Sequence, residues 1–128
     1  MTPTHIELHK QSRRLELAYD DGIKVTLSAE FLRVHSPSAE VRGHHPSQAV
    51  LQHGKIHVGI HTINAVGNYA LQINFDDGHN SGIYSWEYLR ELGEKQAEYW
   101  QQYEAALIKA GKTRDPEVEV VSLFDPKK

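Results

Sequence analysis

The chain has 128 residues, 39% of them hydrophobic and 24% charged, with a formal charge of −3 and no cysteine. That composition describes one ordinary globular domain, and it excludes a disulfide framework and a thiolate metal site. The acidic balance argues against a nucleic-acid partner, no apolar run reaches the roughly 18 residues of a membrane span, and MTPTHIELHK lacks the apolar core of a secretory signal, so a cytoplasmic protein is expected.

In chain order, Thr4 to His9 alternates as a strand, turns at Gln11-Ser12 and returns through Arg14 to Tyr19. Asp20-Asp21-Gly22 supplies a tight turn into a strand from Ile23 to Leu27, because Gly accepts positive φ and Asp tolerates it. Ser28 then caps a helix by accepting free backbone N–H bonds. Lys55 to His61 alternates and reads as a strand, with His57 and His61 on its solvated face, and His61 to Gly67 reads as the next. Gly67-Asn68 turns into Tyr69 to Phe75, and Asp76-Asp77-Gly78 turns again into Gly82 to Tyr84. From Ser85 the pattern is helical to about Ala110, with an aromatic-rich stripe, a break expected at Gly93 and a C-cap at Gly111.

Two segments match in order. Leu15, Leu17, Tyr19, Asp20-Asp21-Gly22 and Ser28 to Arg33 align with Leu71, Ile73, Phe75, Asp76-Asp77-Gly78 and Ser85 to Arg90. A duplicated hairpin–helix unit follows as the expected architecture. The fold class is then α+β: two layers, one largely antiparallel sheet, with helices on one face. Residues 1–111 form the domain and 112–128 a flexible tail, with the apolar run Val118 to Phe124 as a loosely held strand or a disordered stretch.

The segment HSPSAEVRGHH, residues 35–45, packs three of the chain's nine histidines around a Ser-Pro-Ser turn. Together with FDDGH and GIYSWEYLR (residues 75–79 and 82–90) it resembles the small DUF971 domain, which is similar to the N-terminal domain of γ-butyrobetaine hydroxylase. The resemblance spans roughly residues 4 to 110, and the phrases around Ser36 and around His79 to Trp86 are its most specific parts. In the hydroxylase this domain resembles a zinc module, with a Cys-Pro-Cys-x-x-Cys loop and a histidine after a strand turn. The resemblance places the three thiolates on Ser36, Ser38 and Val41 and the fourth ligand on His79. Serine hydroxyls are poor zinc ligands and valine offers none, so no metal is expected at these vestigial positions.

The resemblance also implies that the loop lies beside the second hairpin's turn. Ser36 and Ser38 would then cap the following turn, His79 would bond a loop carbonyl, and Arg42 would pair with Asp76 or Asp77. A substitute site of His35, His44, His45 and His79 for zinc, nickel or iron is one alternative, since imidazoles are competent ligands. A metal-free pocket for an anion or small molecule is another.

The hydroxylase's iron chemistry belongs to a separate barrel domain with a His-x-Asp…His triad. The sole His-x-acid pair here is His5-Ile6-Glu7, in an apparent edge strand, where sheet surface is the simpler reading. Related domains fused to iron–sulfur scaffold ATPases imply a non-catalytic accessory module with a protein partner, linked to iron–sulfur or metal handling. An enzyme using His79 as acid or base beside Asp76 or Asp77 is the remaining reading.

Overall fold

A computed structural model describes residues 1–117 as an α+β fold with two antiparallel three-stranded sheets and four α-helices. The first sheet orders β1 (His5–His9), β2 (Arg14–Ala18) and β3 (Lys24–Ser28), with Leu15 opposite Leu27 and Leu17 opposite Val25. Helix α1 (Ala29–Val34) follows at once, and the Ser28 hydroxyl accepts the Phe31 N–H at 3.0 Å. The second sheet orders β4 (Ile60–Val66), β5 (Ala70–Phe75) and β6 (Ile83–Ser85). Helix α3 (Trp86–Glu94) then starts from Ser85, whose hydroxyl accepts the Tyr88 N–H at 3.1 Å. Between the halves lie α2 (Ala39–Arg42) and a 3₁₀ turn at Pro46–Gln48, and α4 (Gln96–Ala110) follows α3.

The two Asp-Asp-Gly turns are built alike. The Gly22 N–H donates to the Tyr19 carbonyl and the Gly78 N–H to the Phe75 carbonyl, with φ of 85° and 92° at the two glycines. The hairpins then diverge. β6 pairs with β5 only from Ile83 to Ser85, because residues 80–82 turn aside to meet the loop after α1.

One apolar core joins both sheets with α1 and α3. Leu15, Leu17, Leu27, Leu32, Ile73, Tyr84, Leu89 and Leu92 are fully buried in it. A smaller cluster of Val34, Tyr103 and Leu107 seats α4.

Three expectations are corrected. The single sheet is two sheets, since alternation marks which face is buried and not which strand is the neighbour. Lys55 to His61 is not a strand. The Gly54 and Ile56 N–H groups donate to the Thr113 and Arg114 carbonyls, and Val58 N–H closes a turn onto Lys55, so β4 begins at Ile60. The helix breaks at Lys95 rather than Gly93. Gly93 lies inside α3, where a Cβ would stand 2.6 Å and 2.7 Å from the two Val25 γ-methyls, so glycine lets α3 close onto β3.

After α4 the chain returns to the domain. Arg114 makes a bidentate pair with the buried Glu30, at 2.7 Å and 2.8 Å, and its guanidinium lies over Trp100. Val118 to Phe124 lies outside the described residues.

Candidate functional site

The loop after α1 meets the second hairpin through a chain of hydrogen bonds. Ser36 is 1% exposed, and its Oγ lies 2.8 Å from His79 Nε2. The other imidazole nitrogen, Nδ1, lies 3.2 Å from the Glu40 carboxylate. With that carboxylate accepting from Nδ1–H, the Ser36 hydroxyl donates to Nε2, and its oxygen accepts the Ser38 N–H at 3.3 Å. Ser38 caps α2 through the Glu40 N–H at 3.2 Å, and its hydroxyl meets that of Ser81 at 2.7 Å. Val41, the third position, is buried and apolar. The loop thus meets the hairpin as the resemblance implies, but His79 bonds a hydroxyl and a carboxylate rather than a loop carbonyl.

Burial disfavours charge on His79, and the nearby Arg33 guanidinium adds to this; Glu40 offsets part of it, and the net effect lowers its pKa below the usual histidine range. Asp77 is occupied elsewhere. Its Oδ2 accepts from Arg33 at 2.9 Å and Lys55 at 2.7 Å, and its Oδ1 accepts the His79 backbone N–H at 3.2 Å. Burial opposes the Asp77 charge, but these bonds outweigh it and hold the carboxyl down at about 2. Asp76 accepts the Gly59 N–H at 2.9 Å. Neither aspartate touches the imidazole through its side chain, so the acid–base pairing of His79 with them is not assembled.

The substitute histidines do not converge. His35 caps α1, with Nδ1 2.8 Å from the Phe31 carbonyl and its ring between Phe31 and Tyr99. His44 and His45 are exposed, and the His44 backbone N–H bonds the Gln48 side chain. Arg42 does not pair with Asp76 or Asp77, which Gly59, Arg33 and Lys55 already satisfy. Its guanidinium lies across the Tyr88 ring at 4.7 Å.

Sequence reasoning missed Glu40, Ser81 and Arg33, which complete these contacts across spacings of tens of residues. Gly82 carried a local signal, as a glycine entering a strand: a Cβ there would sit 2.6 Å from Ser36 Oγ. Ser36, His79 and Glu40 have the connectivity of a hydrolytic triad. The hydroxyl, however, is 1% exposed and faces the imidazole and the Gly82 backbone. The arrangement works as a clasp between loop and hairpin.

Beside the clasp, His35, Arg42 and Tyr88 are shared by two adjoining clefts. One, of about 370 Å³, is lined by Tyr99 and Tyr103; the other, of about 350 Å³, by Val41 and Leu51. Among the described residues no helix is long and apolar enough to cross a membrane.

Two proteins with NMR solution structures are similar to this chain, at 49% and 43% identity with TM-scores of 0.81 and 0.77. Each match covers 97% of this chain, with 98% and 92% of the respective relative. A crystal structure of a protein of unknown function of the DUF971 family, from Acidithiobacillus ferrooxidans, is 39% identical with a TM-score of 0.58, over 72% of this chain and 92% of its own. No curated protein matches. Residues 6–90 match the family described as gamma-butyrobetaine hydroxylase-like, N-terminal. With that match across most of its length and relatives this similar along it, the chain belongs to the gamma-butyrobetaine hydroxylase-like N-terminal (DUF971) family.

Proposed function

We propose that this chain is a non-catalytic accessory module that binds an acidic segment of a partner protein in the cytoplasm. The observation that supports it is the pair of clefts beside the clasp. Arg42 sits over the Tyr88 ring without an ion-pair partner among the described residues, next to Tyr99, Tyr103 and His35. Arginine and tyrosine are the side chains that anchor interfaces, and a guanidinium has five N–H donors, enough to hold a carboxylate while it rests on a ring. Ser36, Ser38, Val41 and His79 serve the fold and hold this surface in shape. By resemblance the partner is a protein of iron–sulfur or metal handling.

The test is affinity capture from native lysate with wild type, Arg42→Glu and, as a surface-charge control in the exposed β1–β2 turn, Lys10→Glu. A protein held by wild type and the control but lost by Arg42→Glu supports the reading, and its identity reads the link to metal handling. Equal capture by all three, or none, overturns it. A histidine-metal protein or an enzyme at His79 is less favoured, because His35 is held on the Phe31 carbonyl, His44 and His45 are exposed, and His79 uses both nitrogens inside the clasp.

A further inference from the structure

We propose that the outer face of the β1–β2 hairpin is a binding site for a divalent transition-metal ion, with Glu7, His9 and Glu16 as ligands and His5 holding Glu7 in place. Strand alternation puts His5, Glu7 and His9 on one face of β1, while Ile6 and Leu8 pack against the core from the other. The antiparallel register then sets Glu7 directly opposite Glu16. Two carboxylates in that relation repel, and nothing in the hairpin requires them to be neighbours.

The imidazoles complete a mixed donor set. His9 Nε2 lies 3.2 Å from Glu7 Oε2 and 3.8 Å from Glu16 Oε2. One ligand atom from each of the three residues falls within 4.8 Å of the others. Around a zinc-sized ion with bonds of about 2.1 Å, tetrahedral ligands stand roughly 3.4 Å apart. The two imidazole–carboxylate distances bracket that spacing. His5 Nε2 meets the opposite oxygen of Glu7 at 2.9 Å, the place of a histidine that orients a ligating carboxylate.

Two carboxylates balance a 2+ charge, and an imidazole favours zinc, cobalt or nickel over magnesium and calcium. Lys24 lies 3.8 Å from the other oxygen of Glu16 with its side chain 65% exposed, and Arg14 stands opposite His9 in the register. Among the described residues this is the group of three or more such ligand atoms that the fold gathers. It lies apart from the clasp and does not depend on the proposed partner binding.

Isothermal titration of the untagged chain with zinc chloride tests it, with amide NMR shifts as the locator. We expect about one equivalent bound, shifts concentrated in residues 5–9 and 14–18, and at least tenfold weaker binding in His9→Ala and in Glu16→Gln. His5→Ala should weaken binding by a smaller factor. The double variant His44→Ala/His45→Ala should bind like wild type, and excess magnesium should not displace zinc. The replaced histidines are exposed and Glu16 is half-buried, and circular dichroism would check that each variant is folded. Failure to bind, binding that Glu16→Gln and His9→Ala leave intact, or binding lost in the His44/His45 variant would each overturn the proposal.

Discussion

Replacing Ser36 by alanine removes one oxygen, and the structure says what that oxygen does. It donates to His79 Nε2 at 2.8 Å and accepts the Ser38 N–H at 3.3 Å, in a place 1% exposed where water cannot substitute. Each buried polar group left without a partner costs about 1–3 kcal/mol. The longer Ser38 bond counts for less, so the expected loss is about 2 kcal/mol. For a domain of this size that corresponds to a fall in Tm of roughly 6 °C. Urea denaturation at pH 7.5, followed by circular dichroism, measures it. Repeating the substitution in a His79→Leu chain separates the bond from the packing, because there the hydroxyl's donor is unused and it keeps only the longer Ser38 N–H bond. In that background Ser36→Ala should cost under about 0.5 kcal/mol or stabilise, since removing both partners of a buried bond is close to neutral. A loss below about 0.5 kcal/mol in the native chain, or an equal loss in both backgrounds, would refute the clasp.

Gly93→Ala gains about 1 kcal/mol of helix propensity but drives a Cβ into both Val25 methyls; overpacking costs about 1–3 kcal/mol, so the chain should lose stability on balance, and the sign should reverse in a Val25→Ala background. His79 and His35 are held below the usual histidine range, chiefly by burial, so the folded chain takes up fewer protons than the unfolded one. Stability is therefore full above about pH 6.5 and falls as pH drops below it, by up to about 1.4 kcal/mol per unit for each such proton; the His79→Leu chain should show a shallower fall in urea titrations between pH 6.5 and 5. In a Glu16→Gln chain, which lacks the proposed hairpin site, EDTA should leave Tm within about 1 °C; a clear drop restored by zinc would place a metal at the loop instead.

Local chemistry carried most of what was legible. The Asp-Asp-Gly turns and the Ser28 and Ser85 caps each depend on a few adjacent residues, and the structure forms them where the residues stand. The meeting of residues 36–38 with residues 79–82 came from the resemblance and not from periodicity. What failed involved competition between distant partners. Lys55 to His61 alternates well enough for a strand, but the Ile56 N–H is taken by the Arg114 carbonyl and the preceding Gly54 N–H by that of Thr113, residues read as flexible tail. Gly93 reads as a helix breaker until Val25 is seen beneath it. Arg42 reads as a partner for Asp77 until Arg33 and Lys55 occupy that carboxylate. Glu40 was invisible for a similar reason: an exposed acid in a short helix is ordinary until the imidazole it accepts from is known.

The clasp also shows how such a loop can hold without thiolates. A structural zinc site contributes on the order of 10 kcal/mol or more to a small peptide that has little else. A hydrogen-bonded Ser36–His79–Glu40 chain contributes only a few, and Glu40 is largely exposed. The difference has to come from packing, and Val41 indicates where. It is buried at a position where the resemblance puts a thiolate, and burying such a side chain is worth about 1.5–3 kcal/mol. A core that joins both sheets and two helices supplies the rest, as a chain of 128 residues can and a 40-residue one cannot. The loop's stability then follows pH through the His79 imidazole, whose pKa burial holds below the usual histidine range.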